Sequence, residues 1–207
     1  MPADDLARLM RFVLEMRQAG VTDARALGAL ERTPRTHYAP AHLEGLAMDD
    51  MALPLAHGQT MSKPSLVGRV IAALAPELGD VVLEVGSGSG FQAAALATLA
   101  RKVVTLERLA DLAADARARF GAARLLHVFC HVADGFDGWA ADAPYDRIVL
   151  NGGVAKLPLA LLDQLKPGGV LVAPLGPEEA QRLVRYRNGS IEDLGPARFA
   201  MLERGLA

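Results

Sequence analysis

The residues best suited to do chemistry in this 207-residue chain are three glycines at alternate positions and two acids that follow them. Gly86, Gly88 and Gly90 lie between an apolar run, Val81–Val85, and the segment FQAAALATLA. Strand, glycine-rich turn and helix make a nucleotide-type site. Glycine lets a ligand approach the backbone, and the helix start offers unpaired N–H groups. The spacing is G-x-G-x-G, whereas the dinucleotide fingerprint needs a glycine at position 91, where Phe91 stands. The Gly-Lys-Ser/Thr that ends a phosphate-binding P-loop is missing too. Glu107 closes the next apolar run, where a carboxylate can accept from both hydroxyls of a ribose. Asp134 follows the run after that, where a carboxylate can accept from an adenine amino group. Either acid alone reads more simply as a helix cap. Three such features at successive strand ends favour the ligand.

The elements that position these residues follow from periodicity. Leu6, Leu9, Phe12, Val13 and Met16 recur at helical spacing, and Gly20 suits the position after a helix end. Thr22 can cap a second helix, Asp23 to about Thr33, which Pro34 closes. Residues 35–60 lack periodicity and read as a long, partly irregular segment, a kind that is often functional. From Pro64 onward the chain alternates. Helices are predicted from Pro64 to near Pro76, over 91–100, Leu109–Phe120 and Leu157–Leu165. Strands are predicted over Val81–Val85, Lys102–Glu107, Leu125–Val132, Tyr145–Asn151 and Gly169–Pro174. Strict alternation gives parallel strands with helical crossovers. Arg182–Arg187 and Ile191–Leu194 flank Asn188-Gly189, a hairpin signal, and Arg198–Leu202 reads as one more strand. The fold class expected is α/β, a doubly wound, mostly parallel sheet with a helical N-terminal cap and antiparallel C-terminal strands. One domain over 1–207 is expected: cap and active-site loop over 1–60, core over 61–180, hairpin and final strand over 181–207.

Composition narrows the function classes. Lys plus Arg is 22 and Asp plus Glu is 24, a near-balance that offers no basic face for nucleic acid. Hydrophobic residues make up 51%, enough for a proper core. The longest apolar stretches, such as Val70–Ala75, fall far short of the ~18 residues of a spanning helix. The first twenty residues carry charges throughout and do not read as a signal peptide. A single cysteine, Cys130, excludes an internal disulfide and a cysteine-cluster metal site. His127 and His131 flank it, but on a strand they lie ~13 Å apart at ~3.3 Å per residue, too far to share an ion. No metal is expected, and the expected setting is the cytoplasm. His57 reads as a plain loop histidine and Trp139 as packing beside the ligand loop.

The glycine spacing resembles that of S-adenosylmethionine-dependent methyltransferases. Upstream the resemblance becomes specific. Ala52-Leu53-Pro54-Leu55 and then Gly58-Gln59-Thr60-Met61-Ser62-Lys63-Pro64 are similar to the signature of the protein-L-isoaspartate O-methyltransferase family, close to Gly-Gln-Thr-Ile-Ser-Gln-Pro. Pro34-Arg35, Leu83–Ala94, Glu107-Arg108, Asp134-Gly135, Pro144-Tyr145-Asp146, Gly168-Gly169 and Arg198-Phe199 follow the family order, from about Gly20 to the C-terminus. The resemblance implies a repair enzyme that methylates the free α-carboxylate of isoaspartyl residues in damaged proteins. The ester then closes to a succinimide, which partly reopens to normal aspartate. It implies S-adenosyl-L-methionine as cofactor, held by Thr60, Ser62, Glu84, Gly86, Ser87, Gly88, Gly90, Glu107, Arg108, Asp134 and Gly135. It implies Ser62 as the catalytic residue, and Ser62, Asn151, Gly152 and Gly153 as substrate contacts. Isoaspartyl proteins are the expected partners, with no nucleic acid and no membrane, and a monomer is favoured.

A carboxylate nucleophile of pKa ~3.5 to 4 is ionised at neutral pH and needs no general base. Ser62 is therefore expected to donate a hydrogen bond to the substrate; its competing structural role is a helix N-cap before Pro64. Three departures stand out. Lys63 replaces Gln or a small residue, as a surface lysine or an attractor of the anionic substrate. Asn151-Gly152-Gly153 replaces Thr or Gly followed by Ala-Ala, which reads as a looser, smaller wall on the substrate side. Met201 stands where Pro is common. The last two leave room for another carboxylate or a small molecule as acceptor, or for a protein that binds the cofactor with little turnover.

Overall fold

The computed structural model describes residues 3–207. Helices α1 (Ala3–Gln18) and α2 (Ala24–Arg32) form the cap. Phe12 and Met16 are buried, and Gly20 takes φ +93° after the helix end. Asp23, not Thr22, caps α2: its carboxylate accepts from Ala26 N–H at 2.7 Å. Residues 35–60 hold short 3-10 turns at Arg35–His37, Ala41–Leu46 and Ala56–Gly58. They also hold something periodicity could not signal. Strands β1 (Leu53–Pro54) and β2 (Thr60–Met61) pair antiparallel as a two-residue ribbon, too short for an alternation to register.

Helix α3 (Pro64–Leu74) follows, and then the main sheet. Strands β3 (Val81–Val85), β4 (Lys102–Glu107), β5 (Val128–Val132), β6 (Tyr145–Leu150) and β7 (Leu165–Leu175) run parallel. Strands β8 (Arg182–Arg187) and β9 (Ser190–Pro196) add the antiparallel edge across Asn188-Gly189, whose φ values of +50° and +82° suit a tight hairpin. The order is β5-β4-β3-β6-β7-β8-β9. The chain winds outward from β3 to β5, then returns to β6 on the other side of β3. The crevice at the carboxyl ends of β3 and β6 is the topological switch point, where doubly wound sheets bind ligands.

The central strands are buried on both faces, and successive side chains point alternately into two cores. Val82, Val103, Val128, Val149 and Val172 face a core shared with α1 to α4 and α5 (Ala110–Ala122). Here α4 is Phe91–Ala97. Leu83, Val85, Val104, Leu106, Ile148, Leu150 and Leu171 face a second core with Trp139 and Leu161 of α6 (Leu159–Asp163). Predicted elements differ mainly at their ends. The strand expected from Leu125 begins at Val128, because Arg124 takes φ +54° and Leu126 stays exposed.

The strand expected over Arg198–Leu202 does not form. The Gln181 side chain takes the place of a strand partner: its amide donates to Phe199 O at 2.9 Å and its carbonyl accepts from Phe199 N–H at 2.8 Å. Beyond that, only an isolated bridge joins Met201 to Gly153.

Candidate active site

An open cleft lies at the switch point. Its floor is the glycine loop between β3 and α4, with Gly86, Gly88 and Gly90 at φ +91°, +50° and +87°. Positive φ at Gly86 is combined with a close approach, since a Cβ there would stand 3.3 Å from Asn151 Cβ. Of the residues expected from the sequence, Thr60, Ser62, Gly86, Ser87, Gly88, Glu107, Arg108, Gly135, Asn151 and Gly152 line the cleft. Glu84, Gly90, Asp134 and Gly153 do not.

Glu107 ends β4 as expected and is buried, its two oxygens accepting from Gly88 N–H at 2.9 Å and Leu109 N–H at 3.1 Å. A carboxylate offers about four acceptor sites, so two remain for hydroxyls from the cleft. Glu84 lies under the loop, fully buried. It accepts from Thr105 Oγ1 at 2.5 Å and from Asn151 Nδ2 at 2.9 Å. Ser87 turns its hydroxyl inward onto Thr105 at 2.7 Å, so only its backbone serves the cleft. Register explains the cluster: Glu84 pairs with Thr105 and Thr105 with Cys130, a polar row crossing three strands of an otherwise apolar face. Burial pushes the Glu84 carboxyl up to about 8.

Asn151 belongs to the same network. It donates to Gly86 O at 2.9 Å and accepts from Gln92 Nε2 at 2.7 Å. It ties the end of β6 to the glycine loop; its side chain is committed to the protein. Gln92 was not anticipated as a site residue, although an isolated amide in an apolar helix is a readable signal.

Nor do Gly152 and Gly153 loosen the wall. A Cβ on Gly152 would lie 2.6 Å from Leu202 Cδ2, and one on Gly153 would lie 2.2 Å from Gln181 Nε2 and 2.8 Å from Met201 Sδ. The space left by the glycines is filled by the C-terminal segment, held by Gly153 N–H to Ala200 O at 2.8 Å and Leu202 N–H to Gly153 O at 2.9 Å. Met201, Leu202 and Glu203 thereby line the cleft, which no local pattern signalled.

The same segment meets the expected adenine side. Asp134 accepts from Phe136 N–H at 2.9 Å and from Gly205 N–H at 2.8 Å. Arg108 donates to Gly205 O at 3.1 Å and pairs with Glu203 at 3.0 Å. Arg204 sits 4.5 Å above the Phe136 ring.

Opposite stands the ribbon carrying Thr60 and Ser62. Ser62 is not the N-cap of α3; Lys63 occupies that position without a side-chain cap. Asp50 supplies the cap from a distance, accepting from Ser65 N–H at 2.8 Å and Ser65 Oγ at 2.7 Å. Lys63 Nζ lies 3.4 Å from Asp50 as well. Arg35 is buried beneath, donating to Ala47, Met51 and Ser62 carbonyls at 2.9, 2.9 and 3.0 Å. Burial lowers its pKa to about 10, against the nearby charges of Asp50 and Asp49, so it stays cationic at neutral pH.

His57 pairs with Asp111. His131 stacks on Trp139 at 4.1 Å, while His127 bonds Ala97 O at 3.0 Å. Among the described residues no cluster of three or more histidine, cysteine, aspartate or glutamate side chains could hold a metal.

A glycine loop and strand-end acid at the switch point of this sheet are the features of a class I S-adenosylmethionine-dependent methyltransferase. The sequence model of protein-L-isoaspartate(D-aspartate) O-methyltransferase matches residues 8–199, and the chain belongs to that family. A protein-L-isoaspartate O-methyltransferase of Maricaulis maris is 45% identical over 204 residues, covering 97% of this chain and 96% of its own. One from Xanthobacter autotrophicus is 49% identical over 181 residues, 87% of this chain and 83% of its own. A solved protein-L-isoaspartate O-methyltransferase superposes with TM-score 0.84 at 22% identity, over 96% of this chain and 67% of its own. A Plasmodium falciparum β-aspartate methyltransferase structure in complex with S-adenosyl-L-homocysteine gives TM-score 0.81 at 21% identity, over 93% of this chain and 97% of its own.

Proposed function

We propose that this chain transfers a methyl group from S-adenosyl-L-methionine to the free α-carboxylate of isoaspartyl residues in damaged proteins. The observation that carries this reading is one cleft shared by two walls. Glu107 and the glycine loop make one; Ser62, released from capping, makes the other. The cofactor fits the first wall. The loop backbone that lines the cleft at Gly86 to Ser89, the spare acceptor sites of Glu107 and the edge formed by Gly135 and Phe136 match a polar, ribose-bearing adenosine. When bound, the cofactor supplies an electrophilic methyl group on a sulfonium.

The chain's own residues orient and desolvate. Thr60, Gly86, Ser87, Gly88 and Gly135 offer backbone and small side chains to the cofactor, and Glu107 holds its ribose. Arg108 and Asp134 act at the rim through the C-terminal segment, and Glu84 acts from below by fixing Asn151 and Thr105. Ser62 donates its hydroxyl proton in a hydrogen bond to one oxygen of the substrate carboxylate. Gly152 and Gly153 let the tail form the substrate-side wall. Fixing two reactants side by side in one cleft can be worth ~7 kcal/mol or more, which suits a nucleophile that is already ionised. The loop ahead of α3, the core and the tail all contribute to the same cleft, and the cap helices pack against that core. Cys130, single and buried, suits a reducing compartment, and we place a monomer in the cytoplasm.

The test is transfer of label from the cofactor to two peptides differing only in isoaspartate or aspartate. A base-labile ester on the isoaspartyl peptide alone is expected. Equal labelling of both, or of neither, overturns the assignment and points to another acceptor. Ser62→Ala should lower kcat ~10- to 100-fold, the loss of a charged hydrogen bond, and leave S-adenosyl-L-homocysteine affinity within twofold.

A further inference from the structure

Ser62 stands three residues before Ser65, the spacing at which a serine hydroxyl takes the first-turn N–H of a helix. Without another acceptor there, Lys63 could rotate from its extended ψ of 147° into the first helical turn, making Ser62 the N-cap and turning its hydroxyl toward Ser65 and away from the cleft. Ser65 N–H is instead donated to Asp50 Oδ1 at 2.8 Å, and Ser65 Oγ is donated to Asp50 Oδ2 at 2.7 Å. A carboxylate is the stronger acceptor and also suits the positive end of the helix. Asp50 is brought there by Arg35, whose guanidinium donates to carbonyls on both sides of it, Asp49 at 3.3 Å and Met51 at 2.9 Å, and across to Ser62 O at 3.0 Å. One buried cation thus staples the segment carrying Asp50 to the strand end carrying Ser62. The β1–β2 ribbon closes the loop between them, Leu53 opposite Met61.

We infer that Asp50 is a positioning residue for methyl transfer: it occupies the Ser65 N–H that Ser62 would otherwise cap, and so keeps the Ser62 hydroxyl in the cleft. This rests on the role proposed for Ser62, but the competition for one N–H stands apart from any activity and is measured separately. Lys63 Nζ lies 3.4 Å from the same carboxylate, but the pair is half exposed and adds little to the hold that the Ser65 donors have on it. Asparagine at position 50 retains an acceptor oxygen; alanine does not.

Hydrogen exchange at the Ser65 amide, followed by NMR in the full chain, reads the competition. In Asp50→Ala the amide should stay protected, because Ser62 turns in to accept it. In Asp50→Ala/Ser62→Ala it should exchange ~10-fold faster, while Ser62→Ala alone should match the wild type. If Asp50→Ala already exchanges as fast as the double variant, Ser62 does not take the N–H and the inference fails. Transfer to an isoaspartyl peptide gives the second readout. Asp50→Ala should lower kcat nearly as far as Ser62→Ala, with no further loss in the double variant and little change in S-adenosyl-L-homocysteine affinity. Asp50→Asn should restore kcat to within about threefold of wild type, as its acceptor oxygen is retained. Additive losses, or an Asp50→Asn enzyme as slow as Asp50→Ala, overturn the positioning role. Should Asp50→Ala not fold, Asp50→Ser, whose shorter hydroxyl withdraws from Ser65, makes the same comparisons. A wild-type enzyme inert toward isoaspartyl peptides would refute the assigned substrate while leaving the exchange experiment to judge Asp50.

Discussion

Glu84 is an acid buried completely beneath a ligand-binding loop, and its surroundings say which form it takes. Desolvation raises its carboxyl from 4.5 to about 8, against hydrogen bonds from Thr105, Asn151 and Gln92. Neutral Glu84 can donate to Thr105, which then donates to Ser87, so the row stays satisfied without a buried charge. The sign follows from linkage. The folded chain keeps a proton that the unfolded chain has lost, so stability falls as pH rises from about 4.5 through 8 and is flat outside that window. Glu84→Gln mimics the neutral form and should flatten that fall. Thermal melting at about pH 5 and pH 8 checks it, and identical slopes in variant and wild type would place the titration elsewhere. Lys63 is a second case. Its ion pair with Asp50 is half exposed and worth at most ~1 kcal/mol, which favours the plain surface role. Lys63→Gln should then change KM for an isoaspartyl peptide by less than about threefold, with no added effect at low salt; a larger rise confined to low salt would show attraction of the anionic substrate.

At the scale of elements, the loop after β6 and the chain after β9 form one construction. Glycine at 152 and 153 and bulk at 201 and 202 are two halves of a packed contact, not independent departures. Gly152→Ala should cost ~1–3 kcal/mol through overpacking against Leu202, and Leu202→Ala should relieve much of it. A double-mutant cycle in urea denaturation measures the coupling, and additivity would show that the two do not touch. The central strands were legible from the sequence, because strands buried on both faces read as apolar runs set between helical segments. Lys102–Glu107 was legible to the residue. The β1–β2 ribbon was not, since two residues cannot display a period. The stretch from Arg198 reads as a strand, but the backbone groups of Phe199 are taken by the Gln181 side chain and those of Ala200 and Leu202 by Gly153, partners that no local pattern marks.

Across the whole molecule, the last residues close a circuit back to the side of the cleft that carries Arg108. Gly205 meets Asp134, Glu203 meets Arg108, and Ala207 N–H is donated to Arg108 O at 3.1 Å. Ending the chain after Leu202 removes these partners together and bares the rim of the cleft. S-adenosyl-L-homocysteine should then bind ~10-fold more weakly in calorimetry, with the far-ultraviolet spectrum unchanged; equal affinity would show that residues 203–207 do not shape the site. The sequence by itself determined the α/β class, the order of elements, the glycine loop with Glu107 at the next strand end, and Ser62 on a segment before a helix. Those are local or follow from one-dimensional order: apolar period sets the element, and a strand's end sets where its next residue stands. Only the tertiary structure decided that Asp50 caps α3 in place of Ser62, that Glu84 faces the protein interior, that the Asn151 amide at the cleft is spent on Glu84, Gly86 and Gln92, and that the tail builds the wall beside Gly152. A hydrogen bond or a packed contact is decided by which of the acceptors or surfaces brought within reach gives the lowest free energy. Those partners lie tens of residues apart and leave no mark on the local pattern of either segment.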